Sequence, residues 1–490
     1  MATVKSWIGR AIVVYLLAGL AIATAPSLKQ LSQQLSKQAE VYLPGSEGFA
    51  NATLRWNAAA LPHLDIIVKV ETERDVERTI RYANAHKRPF LAISGGHGQT
   101  QTLKNVKSGI GIWMRGMNDL KVVDRGRAAV VGGGIENGEV IRRLWAEGKQ
   151  TSTPVCDCPG FIAPVLGGGH GWLQGRYGLP ADQLISARLV LANGSAISVS
   201  ASEHKDLFWA LRGAGHNFGI VTELKIKIYD RTPEQDLWNG TGFTFTSDKI
   251  QSVFAVVNGW IDEPNRPIEL THYGAFIFNP QIDPVKAVFL LWIFYQGTSI
   301  PEAYTSPLYK LGPASVTSKI TDLTELNTHT AGAYGMPACA KGGSRHMYPV
   351  SLNRYPLENL EYALDIFSSL PPAYHGSFVL LEGYTTHRVK QIPAESTAFA
   401  DRNSEILVDI IILYEANSTL DSTAYEYGEK LREAIWQGSG YPYYAYVNYV
   451  HGDETLESIY GYEPWRLQKL RKLKKQYDPF GRFNFYSPIS

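Results

Sequence analysis

Cysteine is scarce: three residues in 490, at Cys156, Cys158 and Cys339. That is too few for a disulfide scaffold, and the odd number leaves at least one thiol outside any internal bridge. Two of them stand in Cys156-Asp157-Cys158, but the further closely spaced Cys or His of a zinc site is missing, so no metal is expected. An excess of one charge is missing too. Lys and Arg number 47 against 46 Asp and Glu, and no run of five or six like charges occurs, which removes the footprint of a nucleic-acid binder. GxxxxGK[ST], GxGxxG after a strand, HExxH and GxSxG are all absent, so P-loop, Rossmann, zincin and serine-hydrolase chemistry lose support.

Long hydrophobic runs are absent except at the start. Lys5 and Arg10 precede Ala11–Ala23 (AIVVYLLAGLAIA), which ends in Ala23-Thr24-Ala25. This pattern predicts a secretory signal peptide over 1–25. The run is shorter than the ~20 residues that cross a bilayer, so no stable membrane span is expected once it is removed. Sequons at Asn51, Asn193, Asn239 and Asn417 agree with a secretory route.

What is plentiful is aromatic surface, 27 Tyr and 11 Trp, and glycine, 45 residues. Amphipathic rings serve both packing and stacking on a planar ligand. Along the chain, residues 28–40 have helical spacing and 65–70 read as a strand leading into a helix at 73–87. The run 89–93 ends abruptly in Ser94-Gly95-Gly96-His97-Gly98, so a strand delivers a histidine on a glycine loop. Strands are predicted at 110–114, 120–124 and 128–132, and a helix at 137–147, before a second glycine loop, Gly167-Gly168-Gly169-His170-Gly171. Residues 188–199 form a hairpin about Asn193-Gly194. A helix at 205–212 leads into the third cluster, Gly213 to Gly219, and the strand 220–229. Three such loops in one half argue for a phosphate-bearing ligand lying across them, because glycine lets backbone N–H groups approach an anion.

Near residue 231 the glycine clusters stop. Helical segments then alternate with aromatic-rich strands at 289–295, 377–381 and 405–414, an α+β pattern with antiparallel sheet. The expected organisation is a helical segment over 26–60, a ligand-binding domain over 61–232, a substrate domain over 233–440 and a C-terminal segment over 441–490 that packs back on the first domain. A monomer is expected.

In order, Ser94-Gly95-Gly96-His97-Gly98, Cys156 eleven residues before Gly167, Tyr177-Gly178-Leu179-Pro180-Ala181-Asp182, Asp206 to Gly213, Gly215 to Thr222 and Tyr446-Val447-Asn448-Tyr449 with its Asp478-Pro479 tail resemble one family. It is the FAD-linked oxidoreductases with a PCMH-type (vanillyl-alcohol oxidase-like) flavin domain, in their berberine bridge enzyme-like branch. The resemblance covers nearly the whole chain after the signal. It implies FAD joined covalently to His97, with a second link from Cys156, or from Cys158 as the runner-up. It further implies a flavin cradle from Ser94, Gly95, Gly96, Gly98, Gly160, Gly167, Gly168, Gly169, Asp182, Gly219, Ile220, Val221 and Asn448.

The implied reaction is hydride transfer from a specialised metabolite, of the kind found in fungal biosynthesis, to flavin N5, with reoxidation by O2. A base must take the accompanying proton. Tyr449 is the first candidate, provided a neighbouring cation or the charged flavin lowers its phenol; Glu382, at the end of the apolar strand 377–381, is the second, with a solvated strand-end carboxylate as the alternative reading, and Tyr446 positions substrate. Relatives often carry an acid where this chain has His451, and Val or Leu where it has Pro159. Those departures keep a redox-neutral isomerase or cyclase open beside the oxidase, and a carbohydrate oxidase of the same fold is the third alternative.

Overall fold

A computed structural model describes residues 27–490, so the expected signal peptide lies outside the described residues. The first layer is a four-stranded sheet ordered Glu40–Tyr42, Leu64–Lys69, Gly109–Trp113 and Phe90–Ile93. Its inner pairs are parallel, and the helix Glu73–Ala85 crosses between them. Thr72 and Asp75 cap that helix reciprocally. The Asp75 carboxylate also accepts from the Ser36 N–H and hydroxyl, each at 2.7 Å. That capture shortens the helix expected at 28–40 to residues 27–34 and turns the chain into the strand Glu40–Tyr42, which pairs with Leu64–Lys69.

The second sheet is wholly antiparallel, ordered Leu120–Val123, Ala128–Gly132, Ile220–Lys227, Leu184–Val190 and Ala196–Ser200. The Asn193-Gly194 hairpin closes its edge, with Gly194 at φ +78. Leu467, Leu470 and Leu473 of the C-terminal helix Pro464–Tyr477 share a core with this sheet, so the chain end returns to the first half.

The third sheet has seven antiparallel strands: Ser315–Asp322, Leu237–Phe245, Val288–Gln296, Leu270–Ile277, Phe378–Gly383, Ile406–Tyr414 and Ser344–Leu352. Alternation assigns its two faces. Val379, Leu381, Val408 and Ile410 pack under the helices Ile250–Ile261, Leu357–Ser368 and Asp421–Trp436 in the largest core. The opposite face, with Tyr273, Trp292, Phe294 and Leu407, meets Trp172, Leu173 and Leu179 of the first half. No helix among the described residues is long and apolar enough to cross a membrane.

Candidate active site

His97 follows the strand Phe90–Ile93 on its glycine bend, with Gly96 at φ +78. Its ring is half-buried, lies 5.5 Å from the ring of Trp56 at 24°, and leaves Nε2 buried without a hydrogen-bond partner. Burial, with Lys341, Arg55 and Arg345 nearby, lowers its pKa to about 3, so the imidazole is neutral at pH 7.

Cys156 is the one unbridged cysteine. Its backbone takes φ +79, and its Sγ lies 3.4 Å from Cys158 Sγ and 3.7 Å from Cys339 Sγ. Cys158 and Cys339 form a disulfide, which withdraws Cys158 as an alternative attachment point. The bridge spans 181 residues and ties the segment before the strand Ser344–Leu352 to the loop carrying Cys156. The three sulfurs lie within 4.8 Å of one another, but the bridge leaves only one free thiol, too few to hold a metal. Burial pushes the Cys156 thiol up to about 12.

The glycine loops are spent largely on each other. A Cβ on Gly95 would meet Cys158 O at 2.3 Å, and one on Gly160 would meet Ser94 Oγ at 2.4 Å, so these glycines let the His97 and Cys156 loops touch. Gly167, Gly168 and Gly169 abut Asn448, Phe399 and Pro180, and Gly219 abuts Leu189. Within the three glycine loops, Gly96 and Gly98 are the glycines beside cations, Lys341 and Arg55. Asp182 is bound by Arg402 in a buried pair, Ile220 and Val221 are core residues, and Asn448 donates to Pro164 O at 3.0 Å and Tyr446 Oη at 2.6 Å. The His97 loop therefore lies in a cationic neighbourhood.

Glu382 was open to a solvated strand-end role; the structure buries it at 2% exposure. It accepts from Tyr449 Oη at 3.3 Å and Tyr273 Oη at 3.4 Å, while Oε2 has no partner. Burial raises its pKa to about 7, against the lowering effect of the surrounding tyrosine hydroxyls. The cation needed to bring Tyr449 down is not among the groups acting on it. Burial and the Glu382 charge push that phenol well above its usual 10, and burial raises Tyr446 as well. Of the two candidate bases, Glu382 is the one that the protein's own groups hold near neutrality.

Asp409 was missed. Leu380 pairs with Asp409 and Glu382 with Leu407, which sets the two acids diagonally on one sheet face. Neither Asp409 oxygen has a hydrogen-bond partner, and burial followed by the Glu382 charge raises it well above the usual carboxylate range. The signal was present in Glu405-Ile406-Leu407-Val408-Asp409-Ile410-Ile411-Ile412, a lone acid inside an apolar strand. His451 points elsewhere. It stacks on Tyr348 at 4.5 Å and 16°, in a separate aromatic group with His346 and Tyr425, so that departure from the family pattern does not touch the acids.

FAD fits these residues. An unpartnered imidazole, a free thiol and three cations suit a cofactor that carries a diphosphate and gains negative charge on reduction. A family model described as FAD binding domain matches residues 64–200. The FAD-linked oxidoreductase chyH of Penicillium rubens is 37% identical over 470 residues, covering 94% of this chain and 93% of its own. The FAD-linked oxidoreductase chry5 of Gibberella zeae is 37% identical over 482 residues, covering 94% of each chain. This chain belongs to the FAD-linked oxidoreductases. Among solved structures, glucooligosaccharide oxidase from Acremonium strictum, with its 6-S-cysteinyl, 8α-N1-histidyl FAD, superposes with TM-score 0.78 at 20% identity, covering 94% of this chain and 98% of its own. The FAD-linked oxidoreductases of this branch share the fold described above, and their cofactor is FAD.

Proposed function

We propose that this FAD-linked oxidoreductase oxidises a small specialised metabolite, with Glu382 as the proton acceptor and His97 as the covalent anchor of the flavin. When bound, FAD supplies a hydride acceptor at N5 and passes the electrons to O2, yielding hydrogen peroxide. Glu382 carries the proposal, because a carboxyl held near neutrality is matched to proton abstraction at working pH. Tyr449 orients that carboxylate, Asp409 lies diagonal to it on the same sheet face and is kept protonated by burial and the Glu382 charge, and Tyr446, packed edge-on against His170 at 4.8 Å, walls the pocket. The aromatic cluster of Trp172, Tyr273 and Tyr384 packed beside Glu382 supports a flat, largely apolar substrate over the polar groove of a carbohydrate oxidase. With His451 outside the site, the isomerase alternative loses one of its two supports.

Comparative metabolite profiling with and without the protein supplies the substrate for the decisive test. Anaerobic addition of that substrate should bleach the visible flavin absorbance, and air should restore it with peroxide release. Product formed anaerobically without bleaching rejects oxidation. A secretory route remains part of the proposal, supported by the exposed positions of Asn51, Asn193 and Asn417.

The two attachment points make a separable prediction. Flavin that stays with the acid precipitate is expected in the wild type and in His97→Ala and Cys156→Ala singly, and is lost from the precipitate only when both are replaced. Flavin released by acid from the wild type overturns the covalent anchor.

A further inference from the structure

The tripeptide Arg55-Trp56-Asn57, outside every motif singled out in the sequence, grips the His97 loop residue by residue. The Trp56 N–H donates to Gly96 O at 3.1 Å, Arg55 Nη2 to Gly98 O at 2.7 Å, and Asn57 Nδ2 to Gln99 O at 3.1 Å. Three of the four carbonyls from Gly96 to Gln99 are held by consecutive residues of one distant segment. The Trp56 ring then supports the imidazole from one side, at 5.5 Å and 24°.

This grip is itself braced from the substrate domain. Trp56 Nε1 donates to Ala338 O at 2.8 Å, and the Arg345 guanidinium lies 4.4 Å from the centre of the Trp56 ring. Arg345 also donates to Trp56 O and, at 2.9 Å, to Ala340 O, while its N–H donates to Asn57 Oδ1 at 2.9 Å. Trp56 and Arg345 are 7% and 4% exposed, so the stack His97, Trp56, Arg345 is fixed by packing as well as by hydrogen bonds.

We propose that Trp56 is a positioning residue for covalent flavin capture, holding the neutral imidazole of His97 in one orientation while Arg345 clamps Trp56. The inference rests on the proposed anchor at His97. In the capture step the imidazole N–H and one flavin 8α C–H bond break and an N–C8α bond forms. The two hydrogens and two electrons pass to the flavin ring system, which leaves the step reduced, so no outside oxidant is needed for the bond. A nucleophile free to rotate loses the near-attack geometry on which such a step depends.

The test is mass spectrometry of the peptide containing His97, from protein made without flavin and then incubated with FAD for set times. Wild type should acquire one flavin on that peptide. Trp56→Leu should acquire it ~10-fold or more slowly, as expected for a misoriented reactant, while total bound FAD before acid treatment stays near the wild-type level. Trp56→Phe, which keeps the stack and loses only the Nε1 donor, should recover most of the rate. Arg345→Met should slow capture in the same direction and carries the test should Trp56→Leu not fold. Equal capture rates in the wild type, Trp56→Leu and Arg345→Met overturn the positioning role and leave the anchor standing. An unmodified wild-type peptide overturns both.

Discussion

Glu382→Gln is expected to lower turnover by ~10²–10⁴-fold, the range lost when a positioned general base is removed, with FAD binding and the His97 link intact. The pH profile gives the sharper signature. Wild-type kcat/KM should rise with pH through about 7, where the buried Glu382 carboxyl ionises, and that limb should vanish in the variant. Tyr449→Phe removes a donor to the Glu382 carboxylate, so it should shift the limb to higher pH while costing less turnover. Stability should respond with the opposite sign. The unfolded carboxyl releases its proton near 4.5 and the folded one near 7, so between these values the folded state binds more protons and stability falls as pH rises. The full loss is about 3–4 kcal/mol at ~1.4 kcal/mol per pKa unit. Glu382→Gln should flatten this decline in a denaturant-midpoint series from pH 4.5 to 8. A variant that keeps both the limb and the turnover places the base elsewhere.

The same residue shows where sequence reasoning stops. Elements with local causes were legible: the Asn193-Gly194 hairpin, the helix after Thr72, and the strand that stops at His97. Glu382 closes an apolar run, which one chain segment leaves compatible with a wet strand end. Its burial depends on Leu407 and Tyr273, contributed by two neighbouring strands remote in sequence. Asp409 carried a local warning, a charge in a strand otherwise built for the core, but its proximity to Glu382 follows only from register. The Cys158–Cys339 bridge and the hold of Arg55-Trp56-Asn57 on the His97 loop are longer-range still, because they join segments whose own spacing says nothing about each other. The glycine clusters carried a further contact that no single segment announces: glycine marks close backbone approach, and several of these glycines admit another protein segment.

Asp182→Ala is expected to destabilise the fold by ~3–5 kcal/mol, the cost of leaving a buried cation without its partner. Asp182 and Arg402 are 4% and 2% exposed at their side chains, and two hydrogen bonds join them, at 2.8 and 3.1 Å. Asp182 also accepts the Leu179 N–H at 2.9 Å, and Arg402 donates to Thr397 Oγ1 at 2.9 Å. The pair therefore fastens the turn Pro180–Gln183 to the segment that carries Phe399. The Phe399 ring lies where a side chain on Gly168 would stand, so loosening the pair should also loosen the second glycine loop. Removing both charges together, as Asp182→Leu with Arg402→Met, should recover much of the loss, because the penalty comes from the orphaned guanidinium and not from absent attraction. Denaturant midpoints of Asp182→Leu, Arg402→Met and their double form a cycle that reads this directly. If the singles cost less than ~1 kcal/mol, as an exposed ion pair would, the pair is not what fastens the two segments. A deficit in the double as large as in Asp182→Ala would mean that packing around Phe399, rather than charge, carries the junction.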